Sequence, residues 1–438
     1  MEFENLKSKN KENIFIRKGC IINPQTLEKF EADILISDGE IKEINKNITS
    51  GRKDSVREIN AEGLYVCPGF IDMHVHLREP GNEEEEDIES GIKAALRGGI
   101  TAMACMPNTL PVLDSCYLIE YINMKAGKLN YNIYPVAAIT RNLQGEALNE
   151  LGLLVNSGAV AFSDDGRGVQ NARLMYEAMR YGKQFKTLFI LHEEDCDFSE
   201  GGLVNEGYFS ALLGLEGISS LSEDLMVQRD IMLSKATGAR IHITHVSSAK
   251  TVELIASAKT EGIDITCDTT CEHLFFNDSI LTGYNTNYKI KPPIRSESDR
   301  KAIIEGLRTG TIDAIASDHA PHLLSEKNIS FKEASFGSIG LETLFKASLT
   351  KLFYEENFGI EKIVSLISSG PAKILNVEGG EIKTGKVANI SIIDIQNEAV
   401  YEPDNIISKS RNCSFLGHKL KGEVKYTIVN GRLGFINT

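Results

Sequence analysis

The chain alternates between two periods. Between residues 14 and 67 apolar and polar positions alternate in short runs such as "NIFIRKGCIIN" and "EADILISDGEIKEIN", the pattern of strands with one buried face, and Asp38-Gly39 marks a tight hairpin. The same character returns from "KVANISIIDI" to "GEVKYTIVNGRL", with a second hairpin signal at Asn430-Gly431. The middle reads differently. Short apolar runs fall at 66–76, 101–106, 133–139, 159–163, 187–192, 240–246, 263–269 and 312–317. Most of them precede a stretch with Ala, Leu, Glu and Lys at helical spacing, such as "EEDIESGIKAALRGG" and "NARLMYEAMRYGK". Eight strand-then-helix units in succession predict an α/β fold, a (β/α)8 TIM-type barrel whose chemistry belongs at the C-terminal ends of its strands. The expected organisation is a polar tail over 1–13 and the first part of a small β-sandwich domain over 14–66. The barrel follows over 67–374, and the second part of the β domain, thus built from both termini, over 375–438.

Composition narrows the function. A hydrophobic share of 42% and a charged share of 25% are those of an ordinary globular protein, and a formal net charge of −14 argues against a phosphate-tracking nucleic-acid binder. A small-molecule ligand is expected instead. The opening "MEFENLKSKNKEN" has no apolar stretch and no run elsewhere is long enough to span a bilayer, so the expectation is a cytoplasmic protein without a membrane partner. The eight cysteines are scattered without a CxxC pair and read as free thiols in a reducing compartment, Cys267 and Cys271 included.

The rare polar residues then fall on one rim. His74 and His76 end the first predicted strand, Asp164 and Asp165 the fourth, His192 the fifth, His245 the sixth and Asp318 the eighth. Side chains two apart on a strand share a face, so HxH aims two imidazoles at one point while Ile71, Met73 and Val75 are expected to face the helices. By the same parity Asp165, which shares a face with the small Ala161 and Ser163, is the inward acid of the pair, and Asp318 points in while His319 points away; His242 and His245 differ in parity, so only one reaches the centre, and His245 lies nearer the rim. Four inward histidines and two inward carboxylates need a partner, and a divalent metal supplies one. Nitrogen and oxygen donors without thiolates suit zinc, with manganese, cobalt or iron as alternatives, and six donors exceed one tetrahedral ion. The expectation is two ions sharing Asp165. The acidic run "EEEED" at 83–87 reads as the solvated, dipole-favourable start of a helix.

"PGFIDMHVHLREPG", "MPNT", "FSDDGRGVQ", "HEED", "ITHVSS", "SDHAPH" and "FGSIGLET" closely resemble the type I dihydroorotases of the amidohydrolase superfamily, over about residues 14 to 434. The resemblance implies reversible interconversion of L-dihydroorotate and N-carbamoyl-L-aspartate in de novo pyrimidine synthesis, through attack of a metal-bound hydroxide on the ring amide. It implies His74 and His76 as ligands of one metal, His192 and His245 of the other, Asp165 as the bridge, and Asp318 as a metal-proximal general acid/base. On the substrate side it implies His76, Arg78, Asn108 and His322, with Phe336-Gly337 as a loop segment whose backbone meets the pyrimidine ring. It leaves open a homodimer and an association with aspartate transcarbamoylase, which some relatives bind.

Two departures stand out. Where the family usually carries Asn before a Pro pair, "YKIKPPIR" has Lys291, and where "TPHH" is frequent this chain has "TCEH", with Glu272 in place of the first His and His273 read as structural. The segment "LLSEKNISFKEAS" after His322 reads either as a lid or as a passive connection. The rival readings are a hydantoinase, dihydropyrimidinase or allantoinase, which typically bridge their metals with a carboxylated lysine after the fourth strand, and a catalytically silent scaffold. "FSDDG" has no lysine there and no ligand position is lost, which favours dihydroorotase.

Overall fold

The computed structural model describes residues 1–4, 6, 13–48 and 56–437. Among the described residues, eight parallel strands form one sheet in chain order: Phe70–Val75, Ile100–Cys105, Asn132–Ala137, Ala161–Phe162, Leu188–Leu191, Arg240–Ile243, Ile265–Thr270 and Ala314–Ala316. Its two ends meet through a parallel bridge between Val75 and His319 and a 2.9 Å hydrogen bond from the His76 amide to the His319 carbonyl. The sequence-predicted barrel is thus the observed one. The helices between strands start where local chemistry allows. Ile88–Arg97 opens on an Asp87–Ser90 capping box, and Ala172–Gly182 opens on Asn171, whose side chain accepts from the Arg173 and Leu174 amides.

Alternation along the strands sorts the core into two layers. Met103, Ile133, Ile241, Ile243 and Ile315 pack outward against the helices. Ala102, Ala104, Val136, Ala161, Leu188, Ile190, Ala314 and Ala316 fill the barrel, which the helix Ser369–Leu375 plugs from below with Ala372, Ile374 and Leu375. Small residues near the axis leave room for the polar layer above them.

The first strand departs from the expected alternation. Val75 does join the helix-side core, but Ile71 and Met73 belong to the barrel interior. The cause is local: the pairing register with Ile100–Cys105 slips between Phe70 and Ile71 and again between Asp72 and Val75, so the strand changes face midway.

The second sheet comes from both termini. Among the described residues nine strands join it, with Tyr65–Pro68 lying between Asn13–Asn23 and Ile390–Val400. Both hairpin signals form the turns expected of them, with positive φ at Asp38 (56°), Gly39 (87°), Asn430 (51°) and Gly431 (73°). A bridge between Glu40 and Val387 brings one edge of this sheet back to the C-terminal segment, and one face encloses its own core around Ile16, Ile34, Ile390 and Ile428. The expected tail over 1–13 differs at both ends: Glu2–Phe3 pairs with Arg432–Ile436, and Asn13 already begins a strand. Residues 5 and 7–12 of that tail lie outside the described residues.

Candidate metal centre and its cavity

Above the alanine-lined interior, six side chains from five strand ends converge. His74 Nε2 lies 3.4 Å from Asp165 Oδ1 and 3.4 Å from Asp318 Oδ1; His76 Nε2 lies 3.5 Å from Asp165 Oδ2 and 3.2 Å from Asp318 Oδ1. From the other side, His192 Nδ1 approaches Asp165 Oδ1 to 3.4 Å and His245 Nε2 to 3.7 Å. Two buried triads result, His74–His76–Asp165 and Asp165–His192–His245, each with donor atoms within 4.8 Å of one another and Asp165 common to both.

The far side of three imidazoles fixes which nitrogen faces the centre. His74 Nδ1 donates to Thr244 Oγ1 at 2.8 Å, and Thr244 Oγ1 in turn donates to the Asp268 carboxylate at 3.3 Å. His76 Nδ1 donates to Asn108 Oδ1 at 2.7 Å, and His192 Nε2 to Glu194 Oε2 at 3.2 Å. With those protons placed outside, a lone pair on each ring points inward. His74 Nε2 and Asp165 Oδ1 are buried with no hydrogen-bond partner. An unpaired nitrogen and an unpaired carboxylate oxygen facing each other at this depth fit a divalent cation, whose donor set would be nitrogen and oxygen as zinc prefers.

Electrostatics agree. Burial pulls the His74 imidazolium down, but Asp165 and Asp318 overcome it and lift the pKa to about 9; burial likewise opposes His192, which Asp165 and Glu194 lift to about 10. Asp165 is held well below the ordinary carboxylate range against its own burial, first by the charge of His74 and then by the close approach of His192 and His245. The cluster calls for positive charge.

Backbone conformation delivers two of these groups. His245 has φ 41° and Asp318 φ 45°, left-handed values that non-glycine residues rarely adopt. The His245 amide donates to Asp268 Oδ1 at 2.6 Å, which holds that kink. His242 stays one layer below, its Nε2 on Asp268 Oδ2 at 2.9 Å and its Nδ1 on Thr266. Asp164 turns away and accepts from the Ile139 and Thr140 amides. His319 also points away, its Nδ1 accepting from the Gly340 amide and its Nε2 3.4 Å from Glu86.

An open cavity of about 330 Å³ lies over the cluster, lined by His76, Asp165, His192, His245 and Asp318 together with Arg78, Asn108, His322, Phe336 and Gly337, and by Lys291. The structure therefore brings together every residue that the sequence singled out for metal and substrate. Arg78 Nε sits 2.8 Å from Glu85 Oε2 and donates to the Pro321 carbonyl. His322 Nε2 donates to the Phe336 carbonyl at 2.8 Å; burial and the neighbouring Arg78 lower its pKa to about 4, so it is neutral. Lys291 pairs with Glu194 Oε1 at 2.6 Å.

The acidic run at 83–87 is solvated only in part: Glu83 and Glu84 are exposed and Asp87 caps the helix as expected, but Glu86 is fully buried against Ser408 and Glu85 pairs with Arg78, because the segment 408–410 packs on them. Sequence reading also passed over Glu194, Thr244 and Asp268. Glu194 carried a usable signal, since it stands two residues after His192 and shares its side. Thr244 and Asp268 carried none, because their role depends on neighbouring strands.

The fold finds close counterparts among solved structures. An L-hydantoinase (dihydropyrimidinase) from Arthrobacter aurescens matches with a TM-score of 0.85 at 24% identity, covering 98% of both chains. A dihydropyrimidinase from Brevibacillus agri matches with a TM-score of 0.84 at 19% identity, covering 97% of this chain and 95% of that one. The barrel and its split companion sheet are those of the fold that these hydantoinases and dihydropyrimidinases share. By sequence the chain belongs to the dihydroorotase family. The family model described as Dihydro-orotase-like matches residues 63–251. The chain is 44% identical over 422 residues to a dihydroorotase of Acetivibrio thermocellus, covering 96% of this chain and 98% of the relative. It is likewise 44% identical to one of Geotalea daltonii, covering 96% and 99%.

Proposed function

We propose that the chain is a dihydroorotase, opening the ring of L-dihydroorotate to N-carbamoyl-L-aspartate and closing it again. The observation that carries this reading is the cavity itself, in which a guanidinium, an amide and a neutral imidazole from Arg78, Asn108 and His322 stand beside the His/Asp cluster. That set suits a small cyclic amide bearing one carboxylate.

His74 and His76 would hold one zinc ion and His192 and His245 the second, with Asp165 between them. When bound, the ions lower the pKa of water and polarise the amide carbonyl. Asp318 moves the proton: its Oδ1 faces the cavity beside His74 and His76, takes the proton of the attacking water and delivers it to the departing ring nitrogen. Ring closure reverses these transfers. Asn108 acts twice, fixing the His76 ring through Oδ1 and lining the substrate side.

A rival reading as hydantoinase draws support from the fold neighbours alone. Ring opening of dihydroorotate, followed by absorbance and run beside hydantoin and allantoin, separates the two: turnover of the latter with none of dihydroorotate sinks the assignment. We read the compartment as cytoplasmic, which suits eight cysteines that are all free. Among the described residues no helix is long and apolar enough to cross a membrane. A homodimer and a complex with aspartate transcarbamoylase rest on the family resemblance, and co-elution in size exclusion tests both.

A further inference from the structure

Two lysines near the cavity are buried in an unusual way. Lys289 and Lys327 are 2% and 3% exposed, yet the hydrogen bonds of their ammonium groups run to backbone carbonyls instead of carboxylates. Lys327 Nζ donates to the carbonyls of Ser335 (2.8 Å), Gly337 (3.0 Å) and Lys289 (3.4 Å), so its three protons meet three acceptors. Lys289 Nζ donates to the carbonyls of Ala334 (2.6 Å) and Lys332 (3.0 Å) and lies 4.5 Å from the centre of the Phe336 ring. The Gly337 amide donates back to the Lys289 carbonyl at 2.9 Å, which closes the loop between the two lysines.

Burying a cation without an anion is unfavourable, and burial together with Lys289 lowers the Lys327 pKa to about 7. The arrangement persists because the carbonyls of one short segment, 332–337, converge on the two ammonium groups. That segment ends in Phe336 and Gly337, which line the cavity, and the Phe336 carbonyl takes the His322 hydrogen bond.

We propose that Lys289 and Lys327 are positioning residues that hold segment 332–337 by its carbonyls and so set the wall of the cavity that the substrate meets. The inference deepens the reading of the cavity as a dihydroorotate site and rests on it for the identity of the ligand. Neither lysine is asked to touch substrate or a reacting atom.

The test is hydrogen–deuterium exchange on the full-length, zinc-loaded protein, wild type against Lys289→Met and Lys327→Met, with steady-state kinetics on dihydroorotate. Amides of 332–337 are expected to exchange about tenfold faster or more in each variant while those of the barrel strands keep their rates. KM is expected to rise about tenfold with kcat within about twofold, the mark of a lost binding surface. Unchanged exchange over 332–337 overturns the proposal, and so does faster exchange with an unchanged KM. Should a Met variant fail to fold, Lys327→Gln, which keeps two donors, is expected to open the same segment to a smaller extent; wild-type exchange there overturns the proposal equally. If the wild type does not turn over dihydroorotate, the functional reading falls, and the exchange comparison still decides the role of the lysines.

Discussion

The chemistry of single residues here depends on what stands behind them. Thr244 gives His74 its tautomer and Asp268 gives Thr244 its orientation, so the inward lone pair of His74 is set two residues away from the centre. Thr244→Val keeps the volume and removes the acceptor. Zinc affinity is expected to fall by about 10- to 100-fold, read by competition with a chelator, with little change in secondary structure. Asp318→Ala removes the proposed proton carrier while leaving both triads whole. The loss expected in kcat is about 10²- to 10⁴-fold, with metal content unchanged in elemental analysis. At this scale the sequence was legible wherever strand parity applies: it selects Asp165 over Asp164, and the pair that HxH aims. It was silent on the left-handed backbone of His245 and Asp318: parity turned Asp318 inward and rim position selected His245, but the kink that delivers both breaks the alternation that parity assumes.

Elements carry the next set of consequences. The segment that ends in Phe336-Gly337 passes close to its neighbours: Gly337 has φ 140°, and a Cβ added there would lie 2.8 Å from Ala320 Cβ and 3.0 Å from His322 Cδ2. Gly337→Ala is therefore expected to displace His322 and raise KM for dihydroorotate several-fold, with kcat less affected, in steady-state kinetics. The short helix Cys271–Phe275 after the seventh barrel strand holds Glu272, fully buried, its carboxylate accepting from Ser414 Oγ at 2.9 Å. Burial lifts the Glu272 pKa from its ordinary 4.5 to about 7. A raised carboxyl binds its proton more tightly in the folded state, so its contribution is fully present below about pH 4.5 and is lost as pH rises through about 7. The loss is on the order of 3 kcal/mol. Glu272→Gln keeps a partner for Ser414 and cannot ionise; its Tm is expected to exceed that of the wild type by a few degrees at pH 8.5 and to converge with it near pH 5. Thermal melts at the two pH values check this. The helices Ile88–Arg97 and Ala172–Gly182 were legible from their residue spacing. The face change in the first strand was not, because a register slip leaves no mark in a single sequence.

For the molecule as a whole, the architecture was legible because eight strand-then-helix units recur in order and two hairpin dipeptides flag the terminal strands. Pairing across the termini was legible only as shared character: that Tyr65–Pro68 would join Asn13–Asn23 to Ile390–Val400 depends on a pairing with the far end of the chain that no local signal marks. The barrel then does one thing for function, since closing the sheet puts five strand ends on one rim and a cavity over them. The central claim is that this rim, loaded with metal, opens the dihydroorotate ring. The most direct test is elemental analysis of the purified protein joined to the absorbance assay with dihydroorotate, run beside Asp318→Ala. The account predicts about two zinc ions per chain, as expected of a paired-metal site, ring opening by the wild type, and near-complete loss in the variant. Stoichiometric metal with no turnover of dihydroorotate or N-carbamoyl-L-aspartate would contradict it.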